Sequence, residues 1–105
     1  MEATYSTELA KLNDKFRRSG SGVTITPGVQ GLPDLSELLE EIRWYEQFAH
    51  DPEEDGDEHD LGAINWYGNR VLWKIDYYDQ QLEYGEDPLS LDCRRVLTVM
   101  LASEY

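Results

Sequence analysis

The stretch Leu61-Gly62-Ala63-Ile64-Asn65-Trp66-Tyr67-Gly68-Asn69-Arg70-Val71-Leu72-Trp73-Lys74-Ile75-Asp76-Tyr77-Tyr78 decides the fold. Gly68-Asn69 divides it into two runs rich in β-branched and aromatic residues, the composition of strands. A glycine at the first central position of a two-residue turn supplies the positive φ of a type II′ hairpin. With that turn Tyr67 pairs with Arg70, Ile64 faces Trp73 and Trp66 faces Val71. Ile64, Trp66, Val71, Trp73 and Ile75 then share one side, while Asn65, Arg70, Lys74 and Asp76 share the other. One apolar and one mixed face mark an antiparallel pair buried on a single side.

Upstream of the hairpin the spacing changes to that of helices. Ser6 is placed to cap a helix running to about Arg18, with Leu9, Leu12 and Phe16 on one side and Lys15, Arg17 and Arg18 in its last turn, where cations suit the helix dipole. After Gly20-Ser21-Gly22, the alternating Val23-Thr24-Ile25-Thr26 reads as a short strand closed by Pro27-Gly28. Asp34-Leu35-Ser36-Glu37 has capping-box spacing, and Leu35, Leu38, Leu39, Ile42, Tyr45 and Phe48 mark one face of a helix to about His50. Downstream, a helix opening at Asp87-Pro88 or Ser90 is expected, with Leu91, Val96, Leu97, Met100 and Leu101 as its stripe. The expectation is a single α+β domain over residues 1–105, ordered α-β-α-β-β-α. A three-stranded sheet including the antiparallel hairpin is covered by helices on its Trp66/Trp73 face.

Composition narrows the function. The chain carries 22 acidic against nine basic residues, a net charge of -13. Residues 1–20 hold three acids and four bases, so the excess belongs to the body of the fold. Such a field repels nucleic acid and anionic membranes and attracts basic surfaces. Acidity that serves only solubility is the bland alternative. One cysteine, Cys93, excludes an internal disulfide, and neither a leader-like N-terminus nor a spanning apolar run is present, so a cytoplasmic protein is expected. No cofactor is implied, and a monomer is favoured.

Asp51-Pro52-Glu53-Glu54-Asp55-Gly56-Asp57-Glu58-His59-Asp60 forms an acidic loop, expected to be mobile over about residues 50–60. It starts like a calcium loop, but Gly62 stands where a closing bidentate Glu is needed. His50 and His59 lack a third ligand at a recognisable spacing, so no metal site is assigned. Cys93, placed early in the expected last helix, reads as a small core residue, although a helix N-terminus there could favour its thiolate. Trp66, Trp73, Tyr77 and Tyr78 could stack bases, but without a basic groove such a platform lacks its main source of affinity. The remaining acids are more informative. Glu37, Glu40, Glu41 and Glu46 lie on the polar side of the second helix, and Asp76, Asp79, Glu83 and Glu86 follow the hairpin. Carboxylates at helical i, i+3 and i+4 spacing approach the separation of neighbouring phosphates on a nucleic-acid strand.

Five stretches also carry a resemblance: Leu12-Asn13-Asp14-Lys15-Phe16-Arg17; Glu58-His59-Asp60-Leu61-Gly62; Trp73-Lys74-Ile75-Asp76-Tyr77-Tyr78-Asp79; Glu86-Asp87-Pro88; and Arg95 through Tyr105. With them the chain resembles a family of small bacterial proteins known only as a domain of unknown function, found mainly in proteobacteria and often near plasmid or phage genes. The resemblance implies no reaction and no catalytic residue. It implies a mobile-element setting, in which small acidic proteins look like anti-CRISPR proteins and other inhibitors of DNA-binding enzymes. The expected function is therefore non-enzymatic: a DNA-mimicking inhibitor of a basic nucleic-acid-binding protein, with a CRISPR effector subunit as the first target class. Its partner-binding acids would be Glu37, Glu40, Glu41, Glu46, Glu53, Glu54, Asp55, Asp57, Glu58, Asp76, Asp79, Glu83 and Glu86. An antitoxin or immunity-like protein against a basic toxin, and a small hydrolase using His59 with nearby carboxylates, are the alternatives.

Overall fold

The hairpin reverses at Tyr67-Gly68, one residue before the expected turn. Both central residues have positive φ, 49° and 83°, the signature of a type I′ turn whose twist matches the flanking strands. Every cross-strand pairing therefore moves by two residues. Ile64 faces Val71, Trp66 faces Asn69, and Gly62 faces Trp73. Because side chains alternate with period two, this shift leaves the assignment of faces intact. Tyr67 holds its left-handed backbone because both aromatic residues at the tip are tied down. Trp66 Nε1 donates to Pro33 O at 2.8 Å, and the Tyr67 hydroxyl donates to Asp34.

The computed structural model describes residues 4–46 and 58–105, with side chains described from residue 8 onward in the first helix. The elements are α1 (Thr4–Ser19), β1 (Val23–Ile25), α2 (Pro27–Gln30), α3 (Leu35–Arg43), β2 (Leu61–Trp66), β3 (Asn69–Tyr78), β4 (Arg94–Leu101) and a 3-10 turn, Ala102–Glu104. They form one four-stranded sheet of order β1-β4-β3-β2, with β1 parallel to β4 and the other pairs antiparallel. Trp73, Val71, Ile75, Leu97 and Val99 line the face onto which Val29 of α2 and Leu38 and Ile42 of α3 are buried, with Phe16 of α1 and Tyr45 packed against them.

The main correction to the expected order is β4: the three-stranded sheet has a fourth strand where a last helix was expected. Residues 96–101 are all but continuously apolar, so they satisfy helical spacing as well as strand alternation. The continuity arises from position. β4 lies between β1 and β3, and it buries Leu97 and Val99 on the helix-covered face and Met100 on the other. Leu91, assigned to the same stripe, is instead fully exposed.

Smaller corrections concern the helices. The first begins at Thr4, so Ser6 lies inside it. Pro27-Gly28 does not simply close β1 but opens the single turn of α2, with proline at its start. The third helix ends at Arg43 rather than near His50. Asp34 stands at its N-cap but makes no side-chain cap, because it sits in the left-handed region with its carboxylate given to Tyr67. Phe48, His50 and residues 51–57, including Glu53, Glu54, Asp55 and Asp57, lie outside the described residues.

Candidate functional site

Four parts of the chain meet where β3 ends and β4 begins. From α1, Leu9, Ala10, Asn13, Phe16 and Arg17 fall on the side turned to the sheet, so an amide and a guanidinium enter a buried stripe. Asn13 is fully buried and uses both ends of its amide. Nδ2 donates to Glu58 O at 2.9 Å and to the Tyr77 hydroxyl at 3.0 Å, while Oδ1 accepts from Arg95 Nε at 2.7 Å. Arg95 Nη2 donates to Pro88 O at 2.7 Å, and its guanidinium lies 5.2 Å from the Tyr77 ring centre. One amide thus fastens the 58–60 stretch, the end of β3 and the start of β4 to α1.

Arg17 does the same for α3. Its Nε donates to Ile42 O and its Nη2 to Tyr45 O, both at 2.9 Å, supplying donors to carbonyls at the C-terminal end of that helix. Nη1 donates to Asp14 Oδ1 at 3.0 Å, and the guanidinium stands 5.1 Å from the Trp73 ring centre. Arg43 reciprocates, its Nε donating to Arg18 O at the end of α1 at 2.7 Å. Burial pulls the Arg17 guanidinium below its ordinary pKa, and the Asp14 contact pulls it back.

Around this frame lie Asp60, Glu58 and Tyr77, whose proton affinity is displaced, together with the imidazole of His59. Burial pushes the Asp60 carboxyl up, opposed by its backbone hydrogen bond and by the Tyr77 hydroxyl, which donates to Oδ2 at 3.4 Å. Burial also raises Glu58, with the Asp60 charge adding to the effect. Tyr77 is pushed up to about 12, mainly by burial. His59 Nδ1 lies 3.0 and 3.1 Å from the two Asp14 oxygens, a contact that orients the ring and, in the neutral form, places the proton on Nδ1. These are ingredients of acid-base chemistry. Cys93 precedes β4 rather than opening a helix. Burial raises its thiol, whose Sγ accepts from Arg95 Nη1 at 3.7 Å. Among the described residues no cluster of three His, Cys, Asp or Glu side chains could hold a metal ion.

The acids singled out from sequence divide differently. Glu37, Glu40, Glu41 and Glu46 are exposed. Glu40 accepts from Arg43 at 3.3 Å and Trp44 Nε1 at 3.2 Å, and Glu46 pairs with Arg18 at 3.6 Å. Asp76 pairs with Lys74 at 3.4 Å on the face away from α3, while Glu58 belongs to the junction. Asp79 accepts from Glu83 N at 2.9 Å and so holds a turn, Glu83 is exposed, and Glu86 is partly buried. The two acidic groups are not one array. α3 starts beside the hairpin tip, whereas the 79–93 connection leaves the opposite end of the sheet.

Sequence reading missed Asn13, Asp14, Arg17, Tyr77 and Arg95 as a cluster. The available signal was Asn13 and Arg17 at i and i+4, in step with Leu9 and Phe16 on a side that had to be buried. The chain belongs to the family described as a protein of unknown function, DUF3768, whose model matches residues 25–104 and so leaves out the α1 half of the junction. The comparisons with curated proteins and with solved structures give no match.

Proposed function

Since its family carries no described activity, the reading has to come from the molecule, and we propose that the protein binds a basic, nucleic-acid-binding protein and competes with that partner's nucleic acid. The observation that carries this is the excess of exposed acids over cations free to offset them. Of the nine Lys and Arg, Arg17 and Arg95 are taken into the junction and Arg18, Arg43 and Lys74 are paired with Glu46, Glu40 and Asp76, which leaves Lys11, Lys15, Arg70 and Arg94 exposed. Among the described residues Glu37, Glu41, Glu83 and Asp92 enter no ion pair, and with 22 acids against nine bases the field that reaches solvent is negative on balance. Exposed carboxylates of this kind draw in a basic surface from beyond contact distance. A CRISPR effector complex is the first target, on the strength of the mobile-element setting that the resemblance implies.

Displacement of labelled DNA from a purified CRISPR surveillance complex, and from unrelated basic DNA-binding proteins, tests the reading. The variants are Glu37→Lys/Glu40→Lys/Glu41→Lys and Glu83→Lys/Asp92→Lys, which spare the turn-holding Asp79 and Asp87. Surface changes of this sort alter stability by about 0.5 kcal/mol. At least one variant is expected to lose competition while staying folded. Competition unaffected by both reversals rejects the electrostatic reading.

The Asp14–His59 contact favours a second reading, hydrolysis with His59 as general base. Turnover of a generic ester or phosphodiester, abolished by His59→Ala, would establish it in place of the first.

A further inference from the structure

The connection between β3 and β4 is where the fold departs most from burying its apolar side chains. Ten large apolar residues are exposed among those described, and four of them fall within residues 82–91. Leu82 is 43% exposed, Leu89 53% and Tyr84 72%, and Leu91 is fully exposed. Their carrier is nevertheless an ordered unit. Asp79 N donates to Tyr84 O at 2.8 Å and Ser90 N to Asp87 O at 2.9 Å, closing two turns. Gln80 Nε2 donates to Asp92 O at 2.8 Å and Arg94 Nη1 to Gln80 O at 3.3 Å, which stitches the turns together. Pro88 O is held by Arg95 at 2.7 Å.

Backbone strain points the same way. Leu82 has φ of 61°, a left-handed conformation unfavourable for leucine, at a position where 43% of the residue remains exposed. A sequence selected only for this fold would do better with glycine or asparagine there.

We propose that residues 79–92 are the docking element, and that the occupant is a protein segment in which Lys or Arg alternates with apolar residues. This rests on the reading above and specifies the chemistry of the partner. Asp79, Glu83, Glu86, Asp87 and Asp92 are interspersed with the apolar residues along the chain, no Lys or Arg occurs from Ile75 to Cys93, and the guanidiniums bonded to the element, Arg94 on Gln80 O and Arg95 on Pro88 O, leave it with an acidic excess. That charge repels nucleic acid, anionic lipid and a second copy of the same element, and complements a basic segment. Leu82, Tyr84, Leu89 and Leu91 supply the apolar contact, with Tyr84 of a residue type enriched among those that dominate interfaces.

A displayed library of random peptides, panned on the full chain, tests this, followed by titration of one selected synthetic peptide into isotope-labelled protein. The selected sequences should combine Lys or Arg with apolar residues and shift the amides of residues 79–92. Tyr84→Ser/Leu91→Ser should weaken the peptide by at least about tenfold, about 1.4 kcal/mol, with an unchanged amide spectrum elsewhere. Glu37→Lys/Glu40→Lys/Glu41→Lys should leave it within about twofold. A library that yields no binder, peptides lacking basic residues, or shifts confined to α3 overturn the proposal. So does a wild-type chain that self-associates while Tyr84→Ser/Leu91→Ser is monomeric. If displacement of DNA is lost with the α3 reversals yet unaffected by the Tyr84 and Leu91 changes, this docking site falls and the broader reading stands. If no basic protein is bound at all, both fall.

Discussion

Tyr77 shows how one side chain joins the stability of the fold to pH. Its hydroxyl accepts from the buried Asn13 and donates to Asp60, and it holds its proton up to about 12. An unfolded tyrosine ionises near about 10. Between those values the folded chain binds more protons than the unfolded one, so stability falls as pH rises. Below about 10 that contribution is fully present. Tyr77→Phe should cost about 1 kcal/mol at neutral pH through the lost hydrogen bonds, and should have a flatter alkaline limb than wild type. Urea unfolding from pH 8 upward checks both, and limbs that run parallel contradict the assignment. At this scale the sequence was only half legible. The spacing of Asn13 and Arg17 could have shown two polar groups on a buried side, but sequence reading gave Arg17 only the role of a last-turn cation, and most of their partners come from residues 42, 45, 58, 77 and 95. No local pattern connects positions so far apart along the chain.

At the scale of elements, the faces of the hairpin were readable and its register was not. Gly68 serves either of two adjacent two-residue turns, and a shift of two residues changes every partner without changing any side. Packing decides between them. The Trp73 indole lies over Gly62, where an added Cβ would come within 2.5 Å of the ring, and Trp73 is fully buried. Gly62→Ala should therefore destabilise by about 1–3 kcal/mol. Gly31→Ala, whose Cβ would meet only Gly28 O at 3.9 Å, should be close to neutral. Thermal unfolding of the two variants checks this, and equal stability would mean that the indole does not rest on Gly62. β4 was misread for a different reason. A strand with paired neighbours on both sides and apolar residues on both faces loses the alternation by which strands are recognised. α3 was overextended because Tyr45 keeps the helical spacing, although it packs edge-on against Trp73 from beyond the helix end, with ring centres 5.5 Å apart.

For the whole molecule, the charge of -13 acts in two directions. It sets carboxylates against one another in the free protein, and it draws a basic partner from a distance. Added salt screens both effects. The free chain should therefore melt at a higher temperature as salt is raised from low ionic strength, whereas its complex with a basic protein should weaken. Composition made the sign of this field legible at once. Its distribution was not, because five of the nine cations are drawn into the junction and into local pairs that depend on the tertiary fold, while Lys11, Lys15, Arg70 and Arg94 stay exposed. The most direct measurement is displacement of labelled DNA from a CRISPR surveillance complex, with an unrelated basic DNA-binding protein in parallel, at several salt concentrations low enough for the DNA alone to stay bound. The account predicts saturable displacement from at least one of them and, with the DNA left out, direct binding of the protein to that partner whose affinity falls as salt rises. Failure to displace DNA from any basic protein at the lowest salt, or direct binding indifferent to salt, would contradict it.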